Sequence, residues 1–457
     1  MAGIFKTNDI RGVYGETITK EIAYKIGYLF GRKLGTNKKI VLAGDSRLST
    51  PELKTAISNG VKDSGNIIYD MGLGPTPMVY FNSATEEDII AGIMITASHN
   101  PIPDNGIKIC DSHGASFHYN NLYKQLEEEC TDPLNTITII PGGEIIDGTH
   151  FKENYITYLK NEFKFKNNLK IIVEHGNGVS GMFSDIVEYL GIEVTSLRKE
   201  PNGNFPTLLP DPTKAKTFDL IKEKFTKDRE IYHIGIAFDG DGDRIGFITI
   251  DNEILSPDKV GMIFSKNICQ NQQQPKILID VKISAATKEY IEKHGGVVEL
   301  TKVGHSWVHE KLININAALA IELSGHYYFN DRYYGFDDGL YAGLRMLEIL
   351  DNFISNNESF TDHIINLPSY FSTPEFRKSM PADKQQKILK DLEIFVENTN
   401  GVLLNIDGIR GEYSDGWFIA RMSGTESALS YRVEGKNNEN RDKLLKSLED
   451  IISKYAI

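Results

Sequence analysis

The chain has little of what several functions require. Cysteine is scarce: Cys110, Cys130 and Cys269 are an odd count without metal or redox spacing. That excludes a disulfide framework and a thiolate zinc site, and it fits a reducing cytoplasm. No apolar run approaches the ~20 residues of a membrane span. The opening Met1-Ala2-Gly3-Ile4-Phe5-Lys6 lacks the pattern of a secretory signal. Positive charge is short as well, with 50 Lys and Arg against 63 Asp and Glu, a net charge of −13. Nucleic acid and anionic membrane are both repelled by such a surface, so neither is an expected partner. An anionic ligand must therefore be held by local clusters of Arg and Lys. Low-complexity tracts are absent beyond Gln272-Gln273-Gln274.

What is present is an ordinary globular composition, 40% hydrophobic and 25% charged. The 457 residues exceed the roughly 250–300 that one core supports, so several domains are expected. One order of elements recurs. Lys39-Ile40-Val41-Leu42-Ala43-Gly44 reads as a strand, Asp45 to Thr50 as a polar loop, and Pro51 to Asp63 as a helix with proline in its first turn. Ile67-Ile68-Tyr69 is the next strand. The same order returns from Ile171 to Val194, with the loop His175-Gly176-Asn177-Gly178-Val179-Ser180, and from Ile277 to Leu300, with Val281-Lys282-Ile283-Ser284. Each repeat is a βαβ unit, and ligand loops in such folds lie at the carboxyl ends of strands. The last segment differs, with a helix from Asp383 to Asn398, strands near Val402–Ile406, Trp417–Ala420 and Leu429–Glu434, and a final helix. The expected fold is α/β: three similar mixed-sheet βαβ domains, residues 1–145, 146–250 and 251–366, and a smaller C-terminal α+β domain, 367–457.

Four loops carry residues suited to chemistry. The apolar run Ile89 to Ile95 is a buried strand delivering Thr96-Ala97-Ser98-His99-Asn100-Pro101. Asn105-Gly106-Ile107-Lys108 follows as a second turn ending in a cation. A hydroxyl nucleophile needs a proton acceptor or a positive field, and Ser98 has His99 and Lys108 nearby in sequence. Arg11 sits in a polar, turn-prone opening loop, Lys6 to Gly12.

Asp239-Gly240-Asp241-Gly242-Asp243-Arg244 lies between two predicted strands, Ile234–Phe238 and Ile245–Ile250. Two unit charges ~4 Å apart at an effective dielectric of ~20 repel by about 4 kcal/mol. Three carboxylates at alternate positions therefore splay into solvent or hold a metal, and oxygen-only ligands favour Mg²⁺ or Ca²⁺ over Zn²⁺. An EF-hand is excluded, because Arg244 and Ile250 stand where it needs Gly and Glu. Glu322-Leu323-Ser324-Gly325-His326 offers a carboxylate, a hydroxyl and an imidazole for sugar hydroxyls and proton transfer. Arg421-Met422-Ser423-Gly424-Thr425 offers a guanidinium, hydroxyls and backbone amides for a phosphate. Asp337-Asp338-Gly339 precedes a helical pattern and reads as an N-cap.

With these motifs in this order, the chain resembles the α-D-phosphohexomutase superfamily, most closely its bacterial phosphomannomutase/phosphoglucomutase branch. Tyr333-Tyr334-Gly335-Phe336-Asp337-Asp338-Gly339 and Asp407-Gly408-Ile409-Arg410 are similar to that branch too. The resemblance implies four domains around one central cleft: in chain order a phosphoserine, a metal-binding, a sugar-recognition and a phosphate-binding domain. It implies a phosphoryl group on Ser98 and Mg²⁺ held by Asp239, Asp241, Asp243 and a phosphoserine oxygen. Arg11, Lys108, Lys282 and His305 would lie near the transferring phosphate or reacting hydroxyl, and Arg244 near the sugar. Arg421, Ser423, Gly424 and Thr425 would hold the other phosphate. Glu322 and Ser324 would contact the sugar, and Lys108 and His326 are the candidate general base and acid.

The implied reaction converts a hexose 1-phosphate and its 6-phosphate, mannose before glucose, through a hexose 1,6-bisphosphate that also acts as activator. Partners would be small phosphosugars, and the protein a cytoplasmic monomer or homodimer. Some positions depart from the family pattern. Asn8 stands where an aromatic is common, Thr207-Leu208-Leu209 replaces a segment richer in Asn and His, Ile321 replaces Gly, and Ser427 replaces Pro. Phosphoglucosamine mutase is the alternative within the same chemistry, against which Leu323 counts. A haloacid-dehalogenase-type phosphotransferase using Asp239, and a non-catalytic phosphosugar-binding protein, are alternatives from other classes.

Overall fold

The computed structural model describes residues 3–132, 136–228, 232–422 and 427–455. The chain forms two compact units, one of Met1–Ser256 with Ser324–His363, the other of Pro257–Leu323 with Ile364–Ile457.

The first unit contains two sheets. The larger has the strand order Ile10–Val13, Asp104–Asp111, Ile89–Ile95, Lys39–Gly44, Ile67–Leu73, Glu144–Asp147. Its last four strands are parallel, joined by helices Thr50–Asp63 and Thr76–Thr85, whereas its first two pair antiparallel. The two central parallel strands, Lys39–Gly44 and Ile89–Ile95, are apolar after Lys39, as burial on both faces requires. Helices Lys20–Leu34 and Thr50–Asp63 cross closely: a Cβ on Gly27 would lie 2.4 Å from the Ile57 carbonyl oxygen, and one on Gly60 2.1 Å from that of Tyr24. Only glycine permits that approach.

Two predicted turns are strands. Arg11 lies on Ile10–Val13, opposite Gly106, and Asn105-Gly106-Ile107-Lys108 lies inside Asp104–Asp111. Ladder pairing across Ile10–Ile107 and Ile95–Ile107 satisfies the backbone there, which overrides the local turn signal of Asn-Gly. The first sheet also runs on to Asp147.

The second sheet has the order Ile254–Leu255, Ile245–Ile248, Ile234–Phe238, Lys170–Glu174, Glu193–Leu197. Ile234–Phe238 and Ile245–Ile248 form an antiparallel hairpin whose tip is the acidic turn. Helix Gly339–Ser355 also belongs to this unit. Asp338 caps it, accepting a hydrogen bond from the Tyr341 N–H at 2.9 Å, as the sequence predicts. The Asp338 carboxyl also accepts from Tyr333 and Tyr155, and burial pushes its pKa up to about 6.

In the second unit, Val297–Thr301, Lys276–Asp280 and Leu319–Ile321 run parallel. An antiparallel sheet follows, ordered Phe371–Ser372, Ala428–Gly435, Gly416–Met422, Ile409–Tyr413, Val402–Leu404. Helices Ala382–Asn398 and Asn438–Ser453 close its core through Ile388, Leu392, Val396, Leu448 and Ile452. No helix among the described residues is long and apolar enough to cross a membrane.

Candidate active site

Ser98 stands just past the carboxyl end of Ile89–Ile95, 2% exposed. Its φ is +50°, left-handed for a residue with a Cβ, a conformation costing about 1–2 kcal/mol that its surroundings must offset. The Ser98 Oγ donates to Asp239 Oδ2 at 2.6 Å and lies 3.0 Å from His99 Nδ1. The serine loop and the acidic turn, 141 residues apart in sequence, are thus in direct contact.

The acidic turn is buried. Asp239, Asp241 and Asp243 are at most 2% exposed, and one carboxylate oxygen from each lies within 4.8 Å of the others. Gly242, at φ +73°, folds the turn back so that its own N–H and that of Arg244 both reach Asp239 Oδ1, at 3.0 and 3.2 Å. Asp241 Oδ2 accepts from Thr76 Oγ1 at 2.6 Å. Lys108 Nζ bridges Asp241 Oδ2 at 2.8 Å and Asp243 Oδ2 at 2.5 Å.

The titration behaviour follows from this packing. Burial, with the charges of Asp243 and Asp241 added to it, raises the Asp239 pKa well above the carboxylate range. Burial also opposes ionisation of Asp243, but Lys108, His326 and Arg244 overcome it and hold that carboxyl well below its ordinary value. Burial would lower Lys108, yet Asp241 and Asp243 raise its ammonium well above the ordinary value. His99 is pushed well down by burial and by the neighbouring Arg244 and Arg11.

A histidine cluster adjoins the turn. His326 Nε2 accepts from Arg244 Nε at 3.1 Å and lies 3.5 Å from Asp243 Oδ1 and 3.8 Å from Asp337 Oδ2. Its Nδ1 is 2.8 Å from Ser324 Oγ. Arg244 Nη1 approaches His99 Nε2 at 3.5 Å. Arg11 donates to Asn100 Oδ1 at 2.7 Å and pairs with Asp9. Of the predicted residues, the first unit thus assembles Ser98, His99, Lys108, Asp239, Asp241, Asp243, Arg244, Ser324 and His326, with Arg11 bonded to the serine loop.

The second unit holds the remaining candidates. Asp280, ending the strand Lys276–Asp280, accepts from the backbone N–H of Lys282 at 2.6 Å and of Leu323 at 2.9 Å, and burial pushes its pKa up to about 6. Glu322 Oε1 accepts from the Gly304 N–H at 2.8 Å, just ahead of His305, which opens helix His305–Ile315. Lys282 Nζ is 3.4 Å from Glu375 Oε2. Arg421 Nε donates to Asp407 Oδ2 at 2.8 Å, and the same oxygen accepts from the Val303 N–H at 3.2 Å. Asp280 thus ties the Lys282 loop to the Glu322 loop, Asp407 ties the Arg421 loop to the His305 loop, and the Glu322–Gly304 bond joins the two pairs. Ser423, Gly424 and Thr425 lie outside the described residues.

Three residues that build these sites escape a reading by motif, Thr76, Asp280 and Glu375, whereas Asp337 and Asp407 stand in motifs that gave them no place in a site. Asp280 carried a signal, as the last residue of a strand before a polar loop, where α/β folds gather ligand groups. Thr76 and Glu375 carried none.

The acidic turn suits a divalent cation. Asp241 Oδ1 and Asp243 Oδ1 are buried and have no hydrogen-bond donor among the described residues. A hard cation meets both needs, and every donor in the set is oxygen. Asp239, Asp241 and Asp243 together could hold such an ion.

Known proteins match this chain along nearly its whole length. Four family models match in order: phosphoglucomutase/phosphomannomutase alpha/beta/alpha domain I over residues 2–132, domain II over 153–252, domain III over 256–368, and the C-terminal domain over 378–451. A phosphoglucomutase of Neisseria gonorrhoeae is 36% identical over 442 residues, covering 94% of this chain and 92% of that protein. A phosphomannomutase/phosphoglucomutase of Pseudomonas aeruginosa is 33% identical over 448 residues, covering 97% and 94%. The crystal structure of a phosphoglucomutase/phosphomannomutase family protein from Burkholderia thailandensis superposes with a TM-score of 0.89 at 33% identity, covering 99% of this chain and 97% of that one.

Proposed function

The chain belongs to the α-D-phosphohexomutase superfamily, in its bacterial phosphomannomutase/phosphoglucomutase branch, and from that premise we propose how this phosphohexomutase works and on which sugars. It interconverts hexose 1-phosphates and 6-phosphates. Mannose is the preferred sugar and glucose is also accepted, with phosphoglucosamine mutase the less supported alternative. Family membership replaces the haloacid-dehalogenase and non-catalytic readings.

The observation carrying the mechanism is the 2.6 Å hydrogen bond from Ser98 Oγ to Asp239, inside a cluster of three buried carboxylates. A serine alcohol in that position is protected from water, and the group it carries adjoins the cation site. Mg²⁺ at Asp239, Asp241 and Asp243 would neutralise charge on the phosphoryl oxygens as a Lewis acid.

Transfer runs from phosphoserine to the free hydroxyl of the bound sugar phosphate. The phosphorus–oxygen bond to Ser98 breaks as the bond to the sugar oxygen forms, the hydroxyl proton leaves to a base, and Ser98 Oγ takes a proton from an acid. The hexose 1,6-bisphosphate then reverses end for end and returns its other phosphate to Ser98. Such chemistry is positioning and charge neutralisation, with little covalent work for the protein.

Lys108, held as an ammonium between two carboxylates, supplies positive charge near the moving group. It serves as a base only after it gives up a proton to solvent or substrate. His326, between Arg244 and Asp243, is the candidate acid once its Nε2, which accepts from Arg244, has gained a proton. Arg11 and His99 border the serine, while Arg244, Lys282, His305, Glu322 and Ser324 are the proposed sugar-phosphate contacts. Arg421, with Ser423, Gly424 and Thr425, is the proposed anchor of the resting phosphate. The assignment to the cytoplasm, and a monomeric or homodimeric state, belong to the same proposal.

Coupled assays on mannose 1-phosphate, glucose 1-phosphate and glucosamine 1-phosphate test the substrate. Phosphopeptide mapping after incubation with a hexose 1,6-bisphosphate tests the carrier. The expected results are highest kcat/KM on mannose 1-phosphate and acid-stable phosphate on Ser98, absent in Ser98→Ala. Full turnover by Ser98→Ala would remove the mechanism.

A further inference from the structure

The polar loop Asp45 to Thr50, after the strand Lys39–Gly44, takes no part in the chemistry above. Yet its Arg47 is 1% exposed, which is rare for a residue whose charge must be compensated on burial. The guanidinium is spent on backbone carbonyls of the serine loop. Nη1 donates to Pro101 O at 2.8 Å and Asp104 O at 2.9 Å, and Nη2 to Ser98 O at 2.9 Å and Asn100 O at 2.6 Å. Its Nε lies 3.3 Å from Asp45 Oδ2, and the Phe205 ring sits 5.6 Å from its Cζ.

Asp45 closes the arrangement from the other side. It accepts from the Arg47 N–H at 2.9 Å, from Thr50 Oγ1 at 2.8 Å and from Thr96 Oγ1 at 2.8 Å. The Thr96 oxygen in turn accepts from the Ser98 N–H at 2.8 Å. Both polar backbone groups of Ser98 are therefore fixed, the N–H through Thr96 to Asp45 and the C=O by Arg47. The residue so gripped is the one held at φ +50°. A strained conformation persists only where its surroundings over-determine it.

The grip extends to the acidic turn. A Cβ on Gly240 would lie 2.6 Å from the Ser98 carbonyl oxygen, so only glycine there lets the acidic turn come this close to the serine loop. Release of the carbonyl from Arg47 would rotate the Ser98 peptide and swing Oγ off Asp239.

We propose that Arg47 is a positioning residue that holds the serine loop in the geometry that aims Ser98 Oγ at the acidic turn, acting through its planar fork of donors and not through its charge. A lysine keeps the charge beside Asp45 but cannot span four carbonyls with one ammonium. The proposal rests on Ser98 as the phosphoryl carrier.

The test starts from dephosphorylated full-length protein and follows phosphoryl uptake on Ser98 from a hexose 1,6-bisphosphate by intact-protein mass. In that step Ser98 Oγ gains the bond to phosphorus that the sugar oxygen loses, and the serine proton ends on that sugar oxygen. Arg47→Lys should slow uptake and kcat roughly 10–100-fold, since misplacement by about 1 Å costs on the order of 10²-fold. KM for the hexose phosphate should stay within about two-fold, because the substrate contacts are untouched. Uptake within two-fold of wild type, or a loss confined to KM, overturns the proposal. Should Arg47→Lys not fold, Asp45→Asn keeps the side-chain volume and removes the carboxylate that orients the guanidinium fork. A several-fold slower uptake is then expected, and an unchanged rate overturns the proposal. Wild-type protein that never gains phosphate on Ser98 would sink the carrier assignment instead, which keeps the two failures apart.

Discussion

Replacing Lys108 by methionine removes a cation from between two buried carboxylates while keeping most of the side-chain volume. Lys108 Nζ is 2.8 Å from Asp241 and 2.5 Å from Asp243, and all three side chains are at most 3% exposed. Taking away one partner of a buried ion pair costs about 3–5 kcal/mol, because the other charge is left uncompensated. With Asp239 also nearby, mutual repulsion of the carboxylates places the loss toward the upper end. At about 2 °C per kcal/mol for a large domain, the first thermal transition of Lys108→Met should fall by roughly 6–10 °C without divalent ions. Millimolar Mg²⁺ should then raise the variant's transition more than the wild type's, since ligand binding to the native state stabilises it by mass action and the ion replaces the missing positive charge. Differential scanning fluorimetry with and without Mg²⁺ reads both effects. A variant that melts within about 2 °C of wild type, or equal shifts with Mg²⁺ in both proteins, would refute the claim that lysine and cation serve the same carboxylates.

Asp241→Asn should raise the Mg²⁺ concentration for half-maximal activity by at least roughly 10–100-fold, read from an activity titration. Arg421→Ala should raise KM for a hexose phosphate by roughly 10–100-fold, the equivalent of one charge-assisted hydrogen bond, as steady-state kinetics would show. His175 lies fully buried between Ser180 Oγ and Ser184 Oγ, at 2.9 and 2.8 Å, and burial pushes its pKa down to about 3. Below pH ~6.5 the unfolded chain binds a proton there that the native protein does not, so this stability is present above that pH and is lost on acidification. His175→Gln should therefore flatten the decline of stability between pH ~6.5 and ~4 by up to about 1.4 kcal/mol per pH unit, measured by urea unfolding across that range.

The candidate loops are legible in the chain because the residues of each are contiguous. Asp239-Gly240-Asp241-Gly242-Asp243 announces a carboxylate cluster by spacing alone, and Thr96 to Pro101 announces a loop by composition. Repeated strand–loop–helix order was legible for the same reason, since hydrophobic period and turn residues are local properties. Asp338 as a cap is local too.

What joined these pieces was not local. The contact of Ser98 with Asp239 spans 141 positions, that of Thr76 with Asp241 spans 165, and that of Lys108 with Asp243 spans 135. Sequence periodicity carries no information at such separations. Asn105-Gly106 reads as a turn until antiparallel partners on both sides supply its hydrogen bonds. Arg47 reads only as part of a polar loop until the serine loop folds its carbonyls inward onto it. Residue order alone settles which groups are available and which strands carry them. Tertiary structure decided which groups meet, how deeply each is buried and hence which hold their charge, because burial and Coulomb interaction depend on distance in space and not along the chain.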